Sequence, residues 1–493
     1  MRSFATFGLT LFDKIVALRN AIADWFLDRW FVLFKFAAIL GVLGASVAFS
    51  LGAARYTRYA PLFLAVAVVP VLFLAIDFLL KRFELFPIII LLMAAFVPLS
   101  LPTGTGSRLV FSLVATMGFF AIWLLHMLLV EKRFHIEPTP LNAPILAFMV
   151  TTVVSLVWSN LFRDPQVMTW RSFPFVQAAS ALVMIMLPMA LLIVVNFVKH
   201  ERTLMVMVAV ILLAGVLGIP RQFFGIRIPP VNTGGMFTMW VILYAGALGL
   251  FHAGLKKWQR ALLLGQAGLW MFWGVGLHIS WLAGWLPGLV GMGIIVWMRS
   301  KKLVFWLGLA AAFLLAINYN TVFGYVNEVL AAENSESGET RLAAWEVNWR
   351  VTREHWLFGT GPAGYAAYYM TYFPLEGTAT HSNYIDIVAQ TGMVGLGLIL
   401  WVFFGLALIG FLLVLRLHGR GDFFEAAANA AFAGTIGCML MMAFGDWLFP
   451  FAYTQSIAGF DYAVYNWLFM GTILVIERMT RSTPIPKSQA IAR

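Results

Sequence analysis

The chain has 493 residues, 61% of them hydrophobic and only 11% charged, with 33 Lys+Arg against 22 Asp+Glu and a formal charge of +11. A soluble domain carries about 25% charged residues, so this composition excludes an ordinary soluble fold and points to a membrane protein. No basic run or basic–aromatic module assigns the excess charge to nucleic acid, and a single cysteine, Cys438, excludes an intrachain disulfide.

Residues 1–30 do not read as a cleavable signal. Arg2, Lys14, Arg19 and Arg29 alternate with Phe4, Phe7, Leu11, Ile15, Leu18, Ile22 and Phe26 at roughly helical spacing. That pattern predicts an amphipathic segment on the cytoplasmic face, and a poorly ordered tail fits it equally well. Crossing a bilayer takes about 20 apolar residues. Fourteen candidate runs follow, centred near 43, 69, 93, 119, 151, 187, 211, 243, 269, 289, 311, 403, 436 and 467. Those near 93, 211 and 311 are short, and the tight connections at 243/269 and 269/289 suit re-entrant or broken helices. The expected fold is an all-α polytopic membrane protein of about 12–14 transmembrane helices with one long, partly helical outer-face loop. Its sections are the N-terminal segment 1–30, a helix bundle over 31–318, the loop over 319–383, further spans over 384–477 and a cytoplasmic tail over 478–493.

With the N-terminus cytoplasmic, the inner loops collect Lys81/Arg82, Lys132/Arg133, Lys199/Arg202, Lys256/Lys257/Arg260, Arg299/Lys301/Lys302 and Arg416/Arg420. This positive-inside bias puts both termini in the cytoplasm and the 319–383 loop outside. The outer cations are Arg55, Arg58, Arg108, Arg163, Arg171, Arg221, Arg227, Arg341, Arg350 and Arg353, with no lysine among them. A planar guanidinium fork suits phosphate, so an anionic ligand is expected on that face. Lys35, Asp77 and His126 lie toward cytoplasmic ends, where snorkelling accounts for them, and no ionisable relay is expected through the spans.

The outer loops hold the chemistry. In "ENSESGETRLAAWEVNWRVTREHWLFGTGPAGYA" (333–366) a helix is expected to open at Arg341, capped by Ser337 or Thr340. Leu342, Trp345, Trp349 and Trp356 form its aromatic stripe, and Arg350 pairs with Glu354. An amphipathic helix resting on the membrane fits these residues as well as one that sets Arg341 over a bound anion. "GTGPAG" is not a dinucleotide fingerprint, since no strand precedes it and Pro362 interrupts it; a tight turn is the better account, with its N–H groups offered to phosphate at most. In "IPRQFFGIRIPPVNTGGM" (219–236) Arg221 and Arg227 flank an apolar turn before a new helix, as an anion site or as interfacial arginines. No D-x-D, H-E-x-x-H or G-x-S-x-G occurs on the outer face, so neither a metal site nor a serine hydrolase is expected. His381 opens "HSNYIDIVAQTGMVG" at the mouth of a span. It caps a helix there, or it takes the proton of an incoming hydroxyl while arginines neutralise a departing phosphate.

Taken together, "RLAAWEVNWRVTREHWLFGTGPAGY" and "HSNYIDIVAQTGMVGLGLIL" resemble the O-antigen ligase and polymerase superfamily. Its pattern is Arg-x3-Trp, then "HPLFGxGPGxF", then "HNxYLxxLxETGxxGL". Arg341 and Trp345 match the first part, 355–365 the second, and His381, Asn383, Tyr384, Thr391 and Gly392 the third. "IRIPPVN" is similar to the family's "RxxGxFxNPN" at Arg227 and Asn232. The resemblance implies a metal-independent enzyme without cofactors in the bacterial inner membrane, working on its periplasmic face. It implies a glycan donor linked to undecaprenyl pyrophosphate and an acceptor hydroxyl on a glycan, lipid or protein, as in lipopolysaccharide or other cell-envelope polysaccharide synthesis. Arg227, Arg341 and His381 are then the catalytic set, the arginines on the pyrophosphate and the histidine as base. Trp345, Asn232, Asn383 and Tyr384 are the expected substrate contacts, with Arg221 added by proximity. Two departures stand out. Where the family often has Ser-Arg-Gly this chain has "ISWLAGWLPG" (279–288), with Trp281 near the expected arginine, and fourteen apparent spans exceed the family's usual twelve. Ligase and polymerase remain open, and a polysaccharide exporter or lipid-carrier flippase is the reading from another class.

Overall fold

A computed structural model of the chain describes residues 82–97, 100–102, 107–226, 231–278, 281–317, 339–372 and 380–481. The chain divides into two compact units, Met1–Phe83 and Glu84–Arg493, and nearly all described residues belong to the second. The predicted N-terminal segment and the runs near 43 and 69 lie outside the described residues.

All twelve remaining apolar runs are helices: α1 (Phe86–Phe96), α2 (Phe111–Leu125), α3 (Asn142–Leu161), α4 (Phe173–Phe197), α5 (Glu201–Phe224), α6 (Phe237–Phe251), α7 (Lys257–Phe272), α8 (Leu282–Arg299), α9 (Lys301–Ile317), α12 (Asn383–Leu417), α13 (Phe423–Met441) and α14 (Phe460–Thr480). Two further helices, α10 (Glu339–Thr352) and α11 (Tyr365–Tyr372), lie in the loop before α12. Among the described residues, eight helices are long and apolar enough to cross a membrane, with α2 lengthened to Glu131 by a wider π-turn and α14 to Ile457 by a short 3-10 turn. The protein is therefore an all-α polytopic membrane protein. A single antiparallel ladder, β1 (Ser100–Pro102) on β2 (Arg108–Val110), is the only sheet among the described residues.

Two spans differ in length from the expectation. The run near 211 is a helix of 24 residues, because Pro220 sits inside its last turn without ending it. The run near 243 is the shorter one: α6 has 15 residues, about 22 Å of helix against a hydrocarbon core of about 30 Å. Burial explains how so short a helix persists. Nearly every α6 residue is enclosed by α7, α8 and α13, so it does not have to span lipid.

α14 is the central helix, packed by α1, α4, α12 and α13, and almost all of its apolar window is buried. α13 is rich in alanine and glycine, which lets neighbouring backbones approach closely where lipid supplies little drive for association. Between these two helices the chain is not helical, and the buried coil of 442–456 is held by side chains. Asn383 donates to the Phe449 carbonyl (2.8 Å), Trp467 Nε1 to Leu448 O (3.1 Å) and Asn466 Nδ2 to Trp447 O (3.3 Å). Buried irregular backbone persists only when its polar groups are satisfied in this way.

Candidate active site

The loop helices assemble on this coil. α10 places Arg341 in its first turn and sends Trp345 Nε1 to the carbonyl of Thr380 (2.8 Å), the residue before His381. Its buried face is Asn348, Val351 and Thr352, with Trp345 partly covered. Trp349 and Trp356 are exposed, so these two rings of the aromatic stripe lie away from the packed face. The helix turns a polar Asn348–Thr352 pair inward (2.8 Å) and leaves large rings outward, as at an interface between water and lipid. Arg350 pairs with Glu346, not Glu354. The helix ends at Thr352, and Glu354 has already left it.

The glycine-rich turn is structural. Its N–H groups are committed: Gly359 to His355 O (2.8 Å), Thr360 to Ala389 O (2.8 Å) and Ala363 to Gln390 Oε1 (2.8 Å). A phosphate cradle is thereby ruled out for these donors. Gly392 is the counterpart on α12. Its φ of +70° and ψ of −172° break the helix, and a Cβ there would lie 2.1 Å from the Leu357 carbonyl oxygen. The break frees Met393 N–H to reach Trp356 O (2.8 Å), so the "LFGTG" and "QTG" segments lock backbone to backbone.

His381 lies just before α12, next to the Thr380 carbonyl that Trp345 holds. The residue is partly buried with φ of +55°, a left-handed conformation costly for a side chain with a Cβ. Thr380, just before it, donates Oγ1 to Asp386 Oδ1 (2.7 Å), which also accepts from Tyr365 (2.6 Å). Burial, with the Asp386 carboxylate beside it, pushes the Tyr365 hydroxyl well above its ordinary value, so it stays a donor. Asp386 Oδ2 is buried with no hydrogen-bond partner among the described residues. The buried coil contributes Asp446, whose Oδ1 accepts from Gln455 (3.0 Å). Burial raises the Asp446 carboxyl above the ordinary carboxylate value, and the charge of His381 pulls it back down. A histidine and a buried carboxylate in mutual electrostatic range are a recognisable base–orienter arrangement.

Asp446 and Asp386 did not figure among the expected site residues. Both are lone acids in apolar runs, "AFGDWLF" and "NYIDIVA", and an acid so placed, beside glycine and aromatics, is itself the signal. With Asp461, which accepts from Ser112, they show that buried carboxylates do occur at helix ends and in the coil.

The expected substrate contacts occupy distinct positions. Asn383 has no exposed surface, and its amide oxygen accepts from Leu448 N–H (3.0 Å) and Phe449 N–H (3.2 Å), so its groups clasp the coil. Tyr384 donates its hydroxyl to Met439 O (2.7 Å). Asn232 turns the chain into α6, accepting from Gly234 N–H (3.3 Å), and Arg221 reaches Val231 O (3.1 Å). The following glycines, 234 and 235, pack on Tyr462 and Trp447, and Trp281 also meets Trp447 edge-on (6.2 Å). Trp447 is the residue next to Asp446, so the Asn232 turn and the position where the family often has arginine border the same coil. Arg227 lies outside the described residues.

A buried coil between helices, loop residues packed on it and a histidine in electrostatic range of a buried carboxylate mark a candidate site in a polytopic helical membrane protein. Residues 267–400 match the family model described as O-antigen ligase, so this part of the chain is similar to that family. The matched segment runs from α7 through His381 into α12. No curated protein matches the chain.

Proposed function

We propose that the protein is a membrane glycosyltransferase. It moves a glycan from a polyprenyl-pyrophosphate donor to an acceptor hydroxyl on the outer face of the plasma membrane. The observation that carries this reading is His381, in a left-handed turn next to the Thr380 carbonyl that α10 clasps and in electrostatic range of the buried Asp446. In the reaction His381 takes the acceptor hydroxyl proton as that oxygen bonds to the anomeric carbon. The carbon–oxygen bond to the pyrophosphate breaks, and the lipid pyrophosphate leaves with the electron pair. Asp446 orients the imidazole and balances the charge it gains. Arg341 and Arg227, matched to the family's arginines, neutralise the leaving pyrophosphate, with Arg221 close by in the chain. Trp345, Asn383 and Tyr384 act chiefly by fixing the His381 turn and its coil.

The test is transfer by purified protein in nanodiscs from a polyprenyl-pyrophosphate glycan to a panel of acceptors, with chelator present. Wild type is expected to transfer. His381→Ala is expected to bind donor but lose about 10²–10⁴-fold in rate, the usual worth of a positioned base. Arg341→Ala is expected to weaken donor use. A lipid-core acceptor identifies a ligase, and a second polyprenyl-linked chain identifies a polymerase. Full activity in His381→Ala overturns the base assignment, and donor translocation in proteoliposomes without any transfer overturns the enzyme.

A further inference from the structure

At the other end of α12 from His381, a cavity of about 260 Å³ opens between the 137–140 turn, α4, α12 and α14. Its floor is apolar, formed by Ile409, Leu413 and Leu474 among others, and its rim is charged. Arg416 donates to Thr480 Oγ1 (2.8 Å) and lies 3.7 Å from Glu477, while Arg481 donates to the same Glu477 carboxylate (2.8 Å). Arg478 is committed to the Val195 and Val198 carbonyls (2.7 and 2.6 Å) and lies 3.7 Å from Glu137. Three arginines thus face two carboxylates, and the buried Arg416 Nε has no hydrogen-bond partner among the described residues. The site holds an excess cation beside an apolar trough.

We propose that this cavity binds an anionic phospholipid, its phosphate between Arg416 and Arg481 and one acyl chain along Ile409, Leu413 and Leu474. Inorganic phosphate alone would leave the trough uncovered, and a zwitterionic lipid would bring its own cation to a rim already in cationic excess. The trough also continues onto surface that suits acyl chains, since Leu412 and Leu415 on the same helix are exposed. The basic rim lies at the end that the positive-inside bias assigns to the cytoplasm, where anionic lipid attracts such clusters.

Native mass spectrometry of delipidated protein tests this with three probes: phosphatidylglycerol, phosphatidylethanolamine and inorganic phosphate. Phosphatidylglycerol is expected to be retained at one site in preference to the other two. Arg416→Gln combined with Arg481→Gln should weaken it roughly tenfold or more, at about a fivefold loss per arginine. Leu412→Trp, which fills the cavity mouth without changing charge, should weaken it comparably and keeps the test decisive if the arginine variant fails to fold. Equal retention of phosphatidylethanolamine, equal binding of phosphate alone, or unchanged phosphatidylglycerol binding in the folded variants overturns the proposal. The readout is independent of transfer, so its failure leaves the catalytic reading intact.

Discussion

A side chain with a Cβ at φ of +55° costs about 1 kcal/mol relative to glycine, and the cost is met at His381, the one residue the proposed chemistry cannot replace. This separates folding from function. His381→Ala and His381→Gly should both lose about 10²–10⁴-fold in transfer rate, yet the glycine variant should be the more stable of the two by about 1 kcal/mol, read as a higher Tm in detergent. A glycine variant less stable than the alanine one would show that the turn carries no strain. Asp446 gives a second test, through linkage. Burial raises its folded-state value, so its protonated form stabilises the fold at low pH, and that contribution fades as pH rises from about 4 through the raised value. Asp446→Asn should therefore gain stability relative to wild type as pH increases across that window, while its transfer rate falls at every pH. A difference that shrinks with rising pH would contradict the burial argument. His381 was legible because a motif surrounds it. Asp446 was not, because its partner is distant in sequence and only the fold of the 442–456 coil brings them together.

The helices themselves were legible because lipid demands long apolar runs, and every such run among the described residues is helical. What sequence could not supply were their interruptions and the faces they bury. α10 illustrates this: its tryptophans marked an aromatic stripe, but Trp349 and Trp356 are exposed while the polar Asn348 and Thr352 are turned inward. The break in α12 is the sharper case, since "QTGMVG" reads as continuous helix until Gly392 is seen against the Leu357 carbonyl. Gly392→Ala should lower stability by more than 2 kcal/mol, since it combines a positive φ with a clash against backbone that cannot move cheaply. Gly397→Ala, one helical turn and more beyond, meets nothing within 4 Å and should be neutral or slightly stabilising. Thermal unfolding of the two variants side by side checks this, and similar melting temperatures would mean that the two halves of α12 are not locked by the glycine turn. Loss of transfer is expected to accompany loss of stability only in Gly392→Ala, because that lock ties the loop to the start of α12, just after His381.

At the scale of the whole molecule the two ends differ in chemistry. Lysines and arginines mix at one end, while the end with α10 and His381 was assigned arginine alone. If that asymmetry records topology, the proposed site faces away from the cytoplasm, where a lipid-linked glycan meets its acceptor. The protein offers a clean way to measure this, since its sole cysteine, Cys438, is buried in α13. In a Cys438→Ala background, Glu346→Cys on the exposed surface of α10 and Lys302→Cys at the start of α9 report the two ends. Neither residue belongs to the proposed site. A membrane-impermeant maleimide should modify the Glu346 variant in intact cells and the Lys302 variant only after permeabilisation. The reverse pattern would set His381 against the cytoplasm, where activated sugars are nucleotide-linked, and the lipid-pyrophosphate donor would lose its main physical argument. Agreement would tie the arginine-only face, the buried carboxylate and the histidine to one side of the membrane. That is the arrangement a transferase needs when its donor is anchored in lipid and its acceptor arrives from outside.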